Sequence, residues 1–278
     1  MTKIVSLFIL LLLIVAFCKN RQTLHNGHLT ADPPNIASYG TIGQIPVPAG
    51  YERVIAETNS FSEWLRQIRL KRDSKVYLYN GTLKANQLSQ FAVLDISVGN
   101  SDLQQCADAI MRLRAEYFFN QNNINAIHFK ATAGNELSFA KWLKGERYKL
   151  KGNKLFAYIT KPSPDDKRVQ LDKFLEIVFT YCGTLSLEKE TRSINLNDIQ
   201  IGDVFVKGRG HAMMVVDVAV NHEGKKMYML AQSAMPAQDI HIVKNPMDEK
   251  VSPWYEIGTG SKIITPEWIF FKNQVKRW

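Results

Sequence analysis

The 278-residue chain is poor in cysteine, with only Cys18, Cys106 and Cys182, and no two of these form a C-x-x-C pair. Their spacing therefore supports neither a zinc site nor a thioredoxin motif. Long apolar runs are also lacking. The most apolar stretch, residues 4–17, is shorter than the ~20 residues a bilayer-spanning helix needs. There is no glycine-rich phosphate loop, no paired-carboxylate motif and no internal repeat. Lys and Arg outnumber Asp and Glu by 35 to 26, but the excess is scattered. Its densest clusters, Arg66–Arg72 and Lys272–Arg277, read as solvated basic faces. Without zinc spacing, a basic helix or an aromatic ribonucleoprotein motif, nucleic acid is not an expected partner. Charged residues make up 22% of the chain and hydrophobic ones 45%, which argues against disorder and for one packed core.

The N-terminal residues carry an export signal. Lys3 precedes the apolar run 4–17, and Val15-Ala16-Phe17-Cys18 is similar to a bacterial lipobox, although Phe17 stands where a small residue is usual. This predicts a leader over 1–18, a lipid on Cys18 and a membrane-anchored protein of the cell envelope. Residues 19–50 contain Gly27, Pro33, Pro34, Gly40, Gly43, Pro46, Pro48 and Gly50, a composition that reads as a flexible tether. Residues 51–278 are then one domain.

Within that domain the first half reads as mainly helical. Ser60-Phe61-Ser62-Glu63 is a capping box that opens a helix to about Leu70. Lys75–Tyr79 and Phe91–Val98 alternate like strands, and Asn80-Gly81 signals a turn. Asn100-Ser101-Asp102 offers caps for a long helix over about 102–119. Leu171, Phe174, Leu175, Val178 and Phe179 recur at helical spacing over 168–181. The second half changes character, with strands predicted at Asp203–Lys207, His211–Val220, Lys225–Ser233 and Asp239–Val243. The order predicts an α+β fold, with N-terminal helices packed on an antiparallel sheet.

Three residues from these elements form a candidate site. Cys106 lies in the first turns of the long helix, where the helix dipole favours a thiolate. His211 opens one strand and Gln232 closes the next. With the hairpin turn centred between His222 and Glu223, residue 232 faces 213 and residue 234 faces 211. His211 and Gln232 then share a face of the sheet. A thiol, a base and a polar orienter are the parts of a cysteine nucleophile site. Cys182, at a helix C-terminus, is the rival nucleophile, and in an oxidising compartment it is a possible disulfide partner of Cys106. His241 is a weaker orienter, and Asp108 is expected to point away from Cys106 toward a surface or structural partner. The backbone amide of Cys106, aided by Gln105, is the candidate oxyanion donor. The competing expectation starts from the stripe Leu103, Cys106, Ile110, Leu113 and Tyr117. On such a stripe a cysteine is ordinarily core.

Two resemblances sharpen the choice. Ile201-Gly202-Asp203-Val204-Phe205-Val206 followed by Gly210-His211-Ala212-Met213-Met214-Val215-Val216 resembles the strand pair of NlpC-type and CHAP cell-wall amidases. Those are papain-like cysteine hydrolases that cut peptide bonds in peptidoglycan. The order Cys, His, polar residue agrees. The surroundings Gln104-Gln105-Cys106-Ala107-Asp108 and the longer gap from 106 to 211 depart from that pattern. From about Tyr51 onward the chain more closely resembles a domain-of-unknown-function family, the DUF4846 type, common in Bacteroides-type bacteria. Leu103–Asp108, Arg112–Tyr117, Gly202–Phe205, Gly210–Ala212, Ala231–Ser233 and Met235–Asp239 carry that likeness. Together the resemblances imply a papain-like core with an insertion at about 120–195 and a cysteine amidase or peptidase acting on cell-wall peptide, with no metal or cofactor. The alternative is a catalytically inert binding or scaffold module of the same fold.

Overall fold

In the computed structural model, residues 39–278 are described. The leader 1–18 with Cys18, and residues 19–38 of the expected tether, lie outside the described residues.

The elements follow in chain order. The first are strand β1 (Tyr51–Arg53), helix α1 (Phe61–Gln67), β2 (Gln90–Val93) and the long helix α2 (Cys106–Asn120). Two hairpins follow, β3 (His128–Lys130) with β4 (Glu136–Ser138), and β5 (Glu146–Lys151) with β6 (Lys154–Ile159); the short helix α3 (Phe139–Leu143) lies between them. Next come helices α4 (Lys167–Tyr181) and α5 (Thr184–Glu190), then strands β7 (Arg192–Ser193), β8 (Val204–Val206), β9 (Ala212–Asn221), β10 (Lys226–Gln232) and β11 (His241–Val243). The C-terminal strands are β12 (Trp254–Glu256), β13 (Lys262–Ile264), β14 (Ile269–Phe271) and β15 (Val275–Arg277).

One antiparallel sheet dominates, in the order β2-β11-β10-β9-β8-β15-β7, with β1 added to β9 and β12 to β10. Helices α1 and α2 pack on β9, so the fold is α+β with helices laid on an antiparallel sheet. Every residue from Ala212 to Ala219 is buried, as expected of a central strand covered on both faces. Between residues 121 and 195, only the short strand β7 joins this sheet, at its edge.

The folded region starts before residue 51. Ile42 and Ile45 are fully buried in the same core, the Ile42 amide donates to the Ile68 carbonyl, and the Trp254 indole donates to the Pro46 carbonyl. The tether expected over 19–50 therefore does not extend through 39–50. The prolines and glycines there shape turns that lie along the domain.

The basic clusters are solvated only in part: Arg69 and Arg72 are exposed, but other members pair with buried carboxylates. Asp217 is fully buried on β9 and accepts hydrogen bonds from Arg53 Nε at 2.6 Å and Arg66 Nε at 2.7 Å. Lys71 pairs with Asp239, and Arg277 grips Asp203 through both Nε and Nη2. Each of these three aspartates is at most 2% exposed. Buried carboxylates need such partners, since an unpaired charge in the interior is costly.

Candidate active site

Helix α2 starts at Cys106, four residues later than its cap signal predicts. The Asp102 carboxylate accepts from the Ala237 amide at 2.6 Å and from Gln105 Nε2 at 3.2 Å. It thus ties this segment to the loop after β10 and does not cap a helix of its own. Asp108 Oδ2 accepts from the Gln105 amide and closes the first turn. Ser233, at the end of β10, donates to the Gln104 carbonyl at 3.0 Å. The N-terminus of α2 is therefore held against the end of β10 and the loop after it by two hydrogen bonds, through Asp102 and the Gln104 carbonyl.

The hairpin register brings His211 and Gln232 together by a compensated route. The turn centres on Glu223, with Lys226 facing Val220. A bulge then makes Val216 an extra residue: Met229 faces Asp217, but Leu230 faces Val215. Beyond the bulge Ala231 faces Met214, the pairing that a turn between His222 and Glu223 would give. His211 Nε2 lies 2.6 Å from Gln232 Oε1, and both residues are 2% exposed.

Cys106 is half-buried. The backbone amides of Ala107, Ala212 and Cys106 itself favour its thiolate, and Ala212 directly follows His211. No hydrogen bond between the sulfur and the imidazole is present among the described residues. Burial pushes the thiol pKa above its ordinary value, Asp108 adds to the rise, and the three amides only partly offset it. The thiolate favoured by a helix dipole is thus not the resting form. Burial likewise lowers His211 to about 4, against the smaller opposing effects of Gln232 and Glu267. The resting pair is a neutral thiol and a neutral imidazole.

Four residues that sequence reasoning missed, or ranked low, complete the site. The Trp268 ring stacks on His211 with centroids 4.7 Å apart and planes within 6°. Glu267 Oε2 accepts from Gln232 Nε2 at 3.0 Å, and its other oxygen accepts from Lys84 Nζ at 2.7 Å. His241, fully buried, lies with Nε2 3.1 Å from Gln232 Nε2. Glu267 and Trp268 occupy the turn between β13 and β14, which the Thr265 hydroxyl pins by donating to the Trp268 carbonyl and accepting from its amide. The signal was Thr265-Pro266-Glu267-Trp268 between apolar runs, a proline-containing turn joining two strands.

The remaining candidates are placed as follows. Gln105 holds its amide on Asp102 and does not direct it at the sulfur. Asp108 is buried, not at the surface, and its carboxyl is pushed up to about 8 by burial. Cys182 is the C-cap of α4, and its thiol is raised by burial first, then by Glu190 and Asp108. Both cysteines are free.

Asp108 gives a two-part prediction. Its folded pKa is raised, so its contribution to stability is greatest in acid and is lost as pH climbs from about 4 toward about 8. Asp108→Asn keeps a side-chain oxygen for the Gln105 amide but cannot ionise. Thermal melts are expected to show a gain for the variant at pH 8 and little change at pH 4. Alkylation of Cys106 at pH 8 is expected to be faster in the variant, since a charge that opposes the thiolate is gone. Trp268→Ala is expected to let water reach the imidazole and move the His211 pKa up from about 4 toward the ordinary 6.5, readable by NMR titration.

An α+β domain that sets a half-buried thiol at a helix start, near a buried histidine–glutamine pair, defines the class of candidate. The chain belongs to the DUF4846 family, described as a domain of unknown function, whose model matches residues 42–277. No curated protein and no solved structure matches the chain.

Proposed function

We propose that this chain is a papain-like cysteine amidase or peptidase of the cell envelope, acting on a peptide bond of the cell wall or a related amide. One observation carries the reading. A buried histidine has its Nε2 engaged by a glutamine, and the backbone amide of the residue after it favours the thiolate of a cysteine at a helix N-terminus. In the reaction, Cys106 Sγ attacks the amide carbonyl while His211 Nδ1 takes the thiol proton. That proton passes to the leaving amine as the C–N bond breaks, leaving a thioester. Water, deprotonated by the same nitrogen, cleaves the thioester and restores the thiol. The amides at the start of α2 stabilise the oxyanion, and Gln105 joins them on leaving Asp102. Gln232 holds the imidazole in place. Location rests on Lys3, the apolar run 4–17 and a lipid on Cys18, which would hold the domain at a membrane. Metabolic fatty-acid labelling should mark the wild type and not Cys18→Ala; equal labelling of the two would remove the anchor from the proposal.

The inert binding module is favoured by one feature, the raised Cys106 thiol. Access to that thiol separates the two readings. The native protein, treated with a small alkylating reagent and mapped by mass spectrometry, should carry label on Cys106 well before Cys182, and His211→Ala should slow that labelling. A Cys106 that resists the reagent in the native state would favour the module.

A further inference from the structure

Beyond the nucleophile and its base, Gln232 is the centre of a buried polar chain whose members leave one consistent arrangement of protons. We propose that Glu267 and His241 are positioning residues that fix which way the Gln232 amide faces, so that His211 is locked as the Nε2–H tautomer with Nδ1 free to act as base. This rests on the hydrolase reading for its purpose, but its geometry stands apart from it.

The argument starts from two groups with no choice. Glu267 receives three hydrogen bonds, from Lys84 Nζ at 2.7 Å, Asn86 Nδ2 at 3.1 Å and Gln232 at 3.0 Å. Lys84 is itself 8% exposed and is held by Ser89 Oγ at 2.6 Å and the Asn86 carbonyl at 2.8 Å, so its ammonium has a fixed seat beside the carboxylate. Partial burial pushes the Glu267 carboxyl up, but Lys84 and Asn86 outweigh it and the net shift is downward. An ionised carboxylate only accepts. The Gln232 atom facing it must then be the amide nitrogen.

His241 makes the same demand independently. Its Nδ1 lies 2.9 Å from the Asp239 carbonyl, which can only accept, so Nδ1 carries the proton. Full burial keeps the ring neutral, with its pKa lowered to about 4. Its Nε2 is therefore an acceptor and faces Gln232 Nε2 at 3.1 Å. Both amide hydrogens of Gln232 are thus used, one on Glu267 and one on His241. Only the carbonyl oxygen remains for His211, and at 2.6 Å it must accept from Nε2–H. A neutral imidazole protonated at Nε2 presents its lone pair at Nδ1, the nitrogen the mechanism uses. Without these partners a glutamine could present either end, and the histidine either tautomer.

The test uses the full chain labelled with ¹⁵N-histidine, with His211 assigned by its loss in His211→Ala. The wild type is expected to show a protonated-type shift at His211 Nε2 and an unprotonated one at Nδ1. In Glu267→Gln, Lys84 takes the single remaining side-chain oxygen and the new amide faces Gln232. A second His211 tautomer should then appear. Glu267→Asp, which keeps the carboxylate, should hold the wild-type pattern. The turnover number for amide cleavage in Glu267→Gln should fall on the order of tenfold with KM little changed, short of the ~10⁴-fold that a fully wrong tautomer costs a serine protease. A wild-type His211 protonated at Nδ1 would overturn the proposal, as would a Glu267→Gln spectrum identical to wild type. Should Glu267→Gln fail to fold, the wild-type spectrum decides alone. Because the tautomer is read without substrate, absence of any cleavage with the expected tautomer would count against the hydrolase reading and leave this assignment standing.

Discussion

Alanine in place of His211 is expected to slow amide cleavage by about 10²–10⁴-fold, the range a positioned general base contributes. The loss should be near the top of that range. The Cys106 thiol is raised by burial and by Asp108, so little thiolate exists at neutral pH to react unaided. An enzyme with a preformed thiolate would lose less. Cleavage by the wild type should persist down to about pH 5, because the imidazole stays neutral until about pH 4. His211→Ala also removes the ring beneath Trp268, so folding of the variant should be checked by its melting curve before its rate is read. A loss of less than about threefold in a folded variant would exclude His211 as the base.

The largest effect on stability is expected from Asp217→Ala. Asp217 is fully buried and joins Arg53 of β1 and Arg66 of α1 to the central strand β9. Breaking a buried ion pair by deleting one partner typically costs about 3–5 kcal/mol. Here the orphaned arginine side chains are 24% and 14% exposed and can reach some water, which points to the lower part of that range. Arg53 also donates to the Ile45 carbonyl, so the loss should spread to the segment around Ile42–Ile45. Urea unfolding should show the drop, and hydrogen exchange should show it concentrated over residues 42–67. A change below about 1 kcal/mol would mean that Asp217 is not the tie between these elements.

The parts of this fold legible in the sequence are those whose signal is local. Helix α4 shows its register through Leu171, Phe174, Leu175 and Val178, and all four are buried on it. Strands β9 and β10 stand out as apolar runs flanking a turn. What the sequence hides depends on distant partners. Arg66, Lys71 and Arg277 look like surface charge until the fold brings them to Asp217, Asp239 and Asp203. Asp102 looks like a helix cap until Ala237 claims its carboxylate. Strands β12 to β15 are three residues each, too short to show a period, and their pairing alone makes them strands. Glu267 and Trp268 lie between two such strands, where the proline-containing turn is the one local mark and says nothing of Gln232 or His211. Cys106, His211 and Gln232 could be named from order and element type, yet the reckoned hairpin register erred near the turn. The bulge at Val216, which no local pattern announces, cancelled the error.

Incubation of purified peptidoglycan fragments with wild type, Cys106→Ala and Cys182→Ala, read by mass spectrometry, tests the central claim most directly. Cleavage at one type of amide bond is expected from wild type and Cys182→Ala, with none from Cys106→Ala. Cleavage that survives Cys106→Ala and is lost in Cys182→Ala would assign the nucleophile to the other thiol, and no cleavage by the wild type would contradict the hydrolase.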